Sequence, residues 1–235
     1  METIDIGGFV YRVTRSSRRT VCLRVGKDGT AEILAPRRIA AWELEKYAAQ
    51  YAPRMAELCR KKKEQLAMRQ AFTLAYGGEV RVLGSTRILR EWTADSPRYD
   101  DEAYYIPAGL EVDALREAVI AVYRAHAAEV MARLTAELAA EMGLSPASVK
   151  INGARSHWGS CSARRTLNFS WYCIMARPSA IRYIVIHELC HMRHFNHSAA
   201  FWAEAARWCP DYAAEKAYLA GLWREISYEN WTGDN

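Results

Sequence analysis

Apolar and polar residues alternate on both sides of Lys27-Asp28-Gly29 in the stretch TVCLRVGKDGTAEILAP. A period of two marks a strand with one buried face, and Asp-Gly tolerates the positive φ of a tight turn, so the spacing predicts a hairpin. From Ala40 to Arg69 the apolar positions recur at helical steps, interrupted at Pro53. Proline lacks the N–H that an interior helical position donates, and the pattern predicts either two helices or one broken at the residue before it. Short strands are expected again in FTLAYGGEVRVLGSTRILREW, turned by Gly77-Gly78.

The period then changes to that of a helix. Leu115, Val119, Val122, His126, Val130, Leu134 and Leu138 succeed one another at three- and four-residue steps, with Gly143 behind them as a C-terminal stop. This is expected to be the longest helix. His126 lies in its apolar series and reads as a hydrogen-bonded structural residue, not a ligand. TLNFSWYCIM alternates again and predicts a strand over 166–174. Pro178 suits the first turn of a helix, and SAIRYIVIHELCHMR is apolar nearly all round, as a helix enclosed by protein is. The order of elements predicts an α+β chain, with a β-rich accessory region carrying a helical insert over 1–108 and a second domain over 109–235.

Composition narrows the function classes. A chain of 235 residues can enclose an active site without a partner. Six cysteines without a CxxC pair argue against a zinc ribbon and a small disulfide framework. METIDIGGFVYR has neither the apolar core nor the cleavage site of an export signal, and no apolar run is long enough for a bilayer, so a cytoplasmic protein without a membrane partner is expected. Residues 1–70 hold 15 Lys/Arg against 8 Asp/Glu, and the rest hold 17 against 19. The basic excess of the N-terminal third can attract nucleic acid, nucleotides or an acidic protein, although RKKK at 60–63 falls where a solvated helix surface is expected.

The chemistry is concentrated in HELCHMRHFNHSAAFW, His187 to Trp202. On a helix His187 and His191 project from one face a turn apart, so both imidazoles can reach one ion at about 2.0–2.1 Å. Glu188 stands a step further round, within reach of a metal-bound water and too far round to be a primary ligand, which is the place of a general base. A catalytic zinc keeps three protein ligands and an open position. His197 is the stronger candidate for the third, because the helix must end within MRHFN for it to turn back. His194 is the competitor should the helix continue, but three ligands on successive turns of one helix cannot surround an ion tetrahedrally, and His194 is expected instead in the turn or supporting the ligands from behind. An HExxH match arises by chance on the order of once in a hundred chains of this composition; the helical context and the third histidine set this one apart.

WGSCS (158–162), LNFSW (167–171), HELCHMRHFNHSAAFW and CPDY (209–212), in that order, resemble the YgjP-like metallopeptidase family, relatives of the SprT and WLM zinc-dependent proteases. The N-terminal basic hairpin and helices are similar too, so the resemblance covers nearly the whole chain. It implies a minimal zincin-like metalloprotease domain behind the accessory region, zinc held by His187, His191 and His197, and Glu188 as base. It also implies a second activity, since a pyrophosphatase action on UTP has been attributed to the family's namesake. Two positions depart from pattern: His157 stands where the family usually has Arg, and His194 where metzincins have a turn glycine.

Three functions are therefore expected in rank order. The first is a zinc metallopeptidase acting on peptide or protein, with the strand at 166–174 aligning an extended substrate; Asn168 and Tyr212 could bond an oxyanion, although a structural role is the stronger reading of both. The second is a nucleoside triphosphate pyrophosphatase on the same metal, for which Arg15, Arg18, Arg19 and Arg155 are the supply of cations. The third is a nucleic-acid-associated module with structural zinc, against which Glu188 argues. Trp158, Gly159 and Ser160 could shape the cleft floor or form a packing turn. Cys161 would need an activating partner to be a nucleophile, and the sequence places none. Oligomeric state is not set by the sequence.

Overall fold

The computed structural model describes residues 2–233. It divides into two compact units, one of residues up to Phe72 together with Ser227–Asn230, the other of Thr73–Ile226 with Trp231–Gly233. The division thus falls at Thr73, not at 108, because the strands over 79–107 build one core with the helices C-terminal to them.

In the first unit β1 (Glu2–Ile6), β2 (Phe9–Ser16), β3 (Cys22–Val25) and β4 (Ala31–Pro36) form a sheet in the order β1-β2-β4-β3. β2 and β4 are parallel, and the expected β3–β4 hairpin is antiparallel. Its turn carries Gly29 at φ +79°, and Asp28 accepts hydrogen bonds from the amide and hydroxyl of Thr30. Alternate positions Ala31, Ile33 and Ala35 of β4 are buried, beside Tyr11 and Val13 of β2. The helix α1 (Ala41–Ala71) lays Leu44, Ala48, Met55 and Cys59 into this core, and Tyr11 donates its hydroxyl to the Ala48 carbonyl at 3.1 Å.

α1 runs through Pro53 as one helix of 31 residues, contrary to the expected break. An interior proline costs about 3 kcal/mol. Leu44 and Ala48 before it and Met55 and Cys59 after it are buried in the same core, and burial worth about 1.5–3 kcal/mol for each large side chain offsets that cost. The chain returns to this helix near its end, where Gln65 donates to the Ser227 carbonyl and Arg69 donates to Glu229 O and, at 2.9 Å, to Asn230 Oδ1. Several of the unit's cations are paired locally, Arg12 with Asp28, Arg15 with Glu2, Arg24 with Glu32 and Arg60 with Glu64.

In the second unit β5 (Glu79–Val82), β6 (Ser85–Trp92), β7 (Arg98–Tyr99) and β8 (Ala103–Pro107) form a sheet in the order β5-β6-β8-β7. The turn lies at Leu83-Gly84, both at positive φ, and not at Gly77-Gly78, which precedes β5. Closing the hairpin there puts Val80, Val82 and Leu89 in the core, and FTLAY stays outside any strand. α2 (Val112–Met142) equals α1 in length at 31 residues, and Gly143 in the left-handed conformation ends it by donating to Ala139 and Ala140 carbonyls. His126 is the structural histidine expected. Its Nδ1 lies 3.0 Å from the Tyr104 hydroxyl and its ring stacks on Tyr99 at 4.1 Å.

β9 (Ser148–Asn152), β10 (Gly159–Cys161) and β11 (Thr166–Ser170) form a second small sheet in the order β10-β11-β9. The strand expected over 166–174 stops at Ser170, and Trp171–Met175 continue as a 3-10 turn with all five side chains buried. A run apolar at every position has no polar face for a strand to show. Trp171 instead stacks between Tyr123 and Tyr172, at 5.3 and 3.8 Å. α3 (Pro178–Cys190) packs against β10 and α2, and α4 (Ala199–Trp208) and α5 (Tyr212–Ile226) pack against α3. The architecture is α+β. Among the described residues no helix is long and apolar enough to cross a membrane.

Candidate metal centre

α3 begins with Pro178 in its first turn and is buried along most of its length, with Ile181, Tyr183–Ile186 and Glu188–Cys190 all inside. Its apolar girth has the reason the pattern suggested, since neighbours pack on several sides. The helix ends at Cys190, and a loop over 191–198 carries the chain back to α4. That reversal brings His197 to His187 and His191, and one ring nitrogen from each of the three lies within 4.8 Å of the others. Nε2 of His197 is 3.0 Å from Nε2 of His187.

His194 is not in this group. Its ring bonds Glu204 Oε2 through Nε2 at 2.7 Å, while its carbonyl accepts from Nδ1 of His191 at 2.9 Å. The residue therefore orients His191 and leaves Nε2 of that ring for a ligand. Glu204 also pairs with Arg193, which donates to the Met142 carbonyl at 2.6 Å, so one carboxylate ties down the loop. Tyr183, one turn before His187, holds its hydroxyl 3.4 Å from that ring's Nδ1. Phe201, fully buried, packs under all three rings with centroids 4.6–4.9 Å away.

Burial, reinforced by the positive charge His191 and His197 would carry, pushes the His187 pKa down to about 3. Burial lowers that of His197 as well. Both rings are thus neutral at pH 7, with lone pairs available. Glu188 is 95% buried, and desolvation pushes its pKa up to about 8. Its Oε2 makes no hydrogen bond among the described residues, which is a costly state unless something in the cleft engages it. Its other side is crowded by Gly159, where a Cβ would stand 2.8 Å from Cγ and Oε1. Glycine here is a requirement of the carboxyl group's position, and Gly159–Cys161 of WGSC line the cleft as strand β10.

Three imidazoles converging beside an unbonded carboxyl oxygen fit a divalent metal ion. They line, with Gly159–Cys161 and the exposed Phe195, a cleft of about 390 Å³. β10 forms one wall. It is an edge strand, paired only with β11 among the described residues, whereas β11 is bonded on both sides. β11 therefore cannot take the substrate-aligning place expected of the 166–174 strand, and of the sheet's two edge strands, β9 and β10, it is β10 that lines the cleft.

The remaining candidates lie apart. Asn168 is in mid-β11 opposite Ser160, Tyr212 stacks behind Trp202 at 5.1 Å while Trp202 stacks on His197 at 5.5 Å, and Arg155 is exposed and donates to Thr232. Cys161 lines the cleft, but burial and nearby Glu188 raise its thiol pKa, the reverse of an activated nucleophile. Glu204 and Phe201 carry no signal in the sequence, since their roles depend on α4 folding back against α3. Tyr183 could have been found, four residues before His187 on the same helix face.

No curated protein matches the chain. The crystal structure of the metallopeptidase zymogen of Pyrococcus abyssi abylysin is similar over 39% of this chain and 94% of its own, at 22% identity and a TM-score of 0.36. The model of the YgjP-like metallopeptidase domain matches residues 19–221, most of the chain, and the chain belongs to that family.

Proposed function

We propose that the chain is a zinc-dependent peptide hydrolase in which His187, His191 and His197 hold the ion and Glu188 is the general base. The observation that carries this reading is the coincidence, in one cleft, of three imidazole nitrogens within 4.8 Å and a buried carboxyl with an unbonded oxygen. When bound, zinc polarises a carbonyl oxygen, acidifies water and, as a nearby positive charge, favours ionised Glu188. Glu188 takes the proton of the attacking water and returns it to the leaving amine, a role suited to a carboxyl whose pKa is raised toward neutrality. Gly159 leaves that carboxyl room. The free edge of β10 aligns an extended peptide through main-chain hydrogen bonds.

A peptide is favoured over a nucleoside triphosphate by the lining. Lys216 is the one lysine or arginine among the residues lining this cleft and the cavity beside it, and a triphosphate calls for several. Arg15 is engaged with Glu2 and the Ile39 carbonyl.

The test compares zinc-loaded protein with Glu188→Gln on an unfolded protein and on nucleoside triphosphates including UTP. Proteolysis that falls about 10²-fold or more in the variant, with zinc retained, is expected. Triphosphate cleavage with that behaviour, and no proteolysis, puts the pyrophosphatase in its place. Metal analysis should find zinc lost in His197→Ala and kept in His194→Ala; the reverse overturns the ligand set. Single-stranded nucleic acid is the third arm. Salt-sensitive binding that survives Glu188→Gln would assign the basic residues of 1–70 a recruiting role.

A further inference from the structure

Next to the metal cleft lies a second cavity, of about 440 Å³, walled by Trp158, Ile184, Leu219, Ala220 and Trp223. It shares His157, Gly159, His187 and Glu188 with the cleft, so the two are continuous at the general base. A peptide laid along β10 passes its mouth beside Glu188. The wall is preformed, because Trp158 and Trp223 meet edge to face at 4.5 Å and Trp223 is braced on Tyr172 at 5.8 Å. α5 supplies positions 216, 219, 220 and 223, one helix face at three- and four-residue steps. Leu219 is buried, whereas Ala220 and Lys216 are exposed. Lys216 holds its ammonium 4.8 Å from the Trp202 ring.

We propose that this cavity is a specificity pocket for one large uncharged side chain, aromatic or branched aliphatic, of the substrate residue adjoining the scissile bond, and that Lys216 bars cationic side chains from it. The inference rests on the peptide-hydrolase reading. Its volume lies in the range of pockets that enclose small organic groups, about 300–1,000 Å³. Burying a Phe or Leu side chain instead of Ala favours binding by about tenfold or more. A lysine or arginine side chain would bring like charge to Lys216 and lose hydration against indole and aliphatic walls.

The test needs no turnover. Zinc-loaded protein is titrated with the N-acetyl amides of Phe, Leu, Ala and Lys while the indole N–H resonances of Trp158 and Trp223 are followed. Phe and Leu derivatives should bind about tenfold or more tighter than Ala, and the Lys derivative should leave both resonances in place. Ala220→Trp should weaken the Phe derivative at least tenfold, and Lys216→Glu should admit the Lys derivative. Both substitutions are at exposed helical positions, and circular dichroism checks the fold. Equal binding of all four probes, or undiminished Phe binding in Ala220→Trp, overturns the pocket. Digestion of a mixed-sequence peptide library completes the comparison. Cleavage without side-chain preference overturns the pocket and leaves the hydrolase standing; selective binding without cleavage of any peptide sinks the hydrolase and leaves the pocket's selectivity standing.

Discussion

A single methyl group at position 159 would press on Cγ and Oε1 of Glu188 at 2.8 Å, and the carboxyl would have to move. Displacements of that kind cost on the order of 10²-fold in rate when they fall on a reacting group. Gly159→Ala is therefore expected to lower kcat/KM at least about tenfold while metal content, read by elemental analysis, stays at the wild-type level. At the other end of the chain Asp28 is held below the ordinary carboxylate range, first by the Thr30 hydroxyl and then by Arg12. The folded state thus favours the ionised form, and the stabilisation is present above the unfolded value near about 4 and lost as pH falls through the folded one. Denaturant titrations should show Asp28→Asn less stable than wild type at pH 7, with the gap closing in acid. The placing of His187 and His191 a turn apart and the turn at Asp28-Gly29 were legible because each is local, in a helix period or a tight turn. Gly159 and Glu204 were not, because the atoms they serve are reached only after the chain folds back.

Among the elements, the loop between α3 and α4 does the most with the fewest residues. Glu204 on α4 holds both His194 and Arg193, and the His194 carbonyl orients His191. Glu204→Gln should weaken zinc binding about 10–100-fold, measured against a competing chelator, with the ligands themselves untouched. In α2, burial keeps His126 below the ordinary imidazole value, with Glu129 pulling weakly the other way. The unfolded chain takes up a proton near pH 6.5 that the folded one resists, so stability is highest above that pH and falls as pH drops toward the folded value. Equilibrium unfolding at pH 7.5 and 5.5 should show this slope reduced in His126→Phe. The periodic helices α2 and α3 and the β3–β4 hairpin could be read in advance. The continuity of α1 across Pro53 could not, since it depends on a sheet built from distant segments, nor could the end of β11, decided by aromatic stacking from α2.

For the whole molecule, any ligand of the native state alone raises stability with its concentration. At a hundred times its dissociation constant zinc should add about 2.7 kcal/mol. The melting temperature should rise with zinc and fall on chelation, and His197→Ala should remove that dependence. The α+β class was legible from the order of periods along the chain. The place of division was not, because strands over 79–107 look alike whether they pair with the N-terminal strands or pack against the C-terminal helices. The free edge of β10 is only Gly159–Cys161 long. A slot of that kind has nothing to offer a helix or an already paired strand, whose backbone groups are occupied. On the proposed reading, native proteins would pass untouched, and the same proteins would become substrates wherever damage, heat or unfinished synthesis left a few residues straight and unbonded.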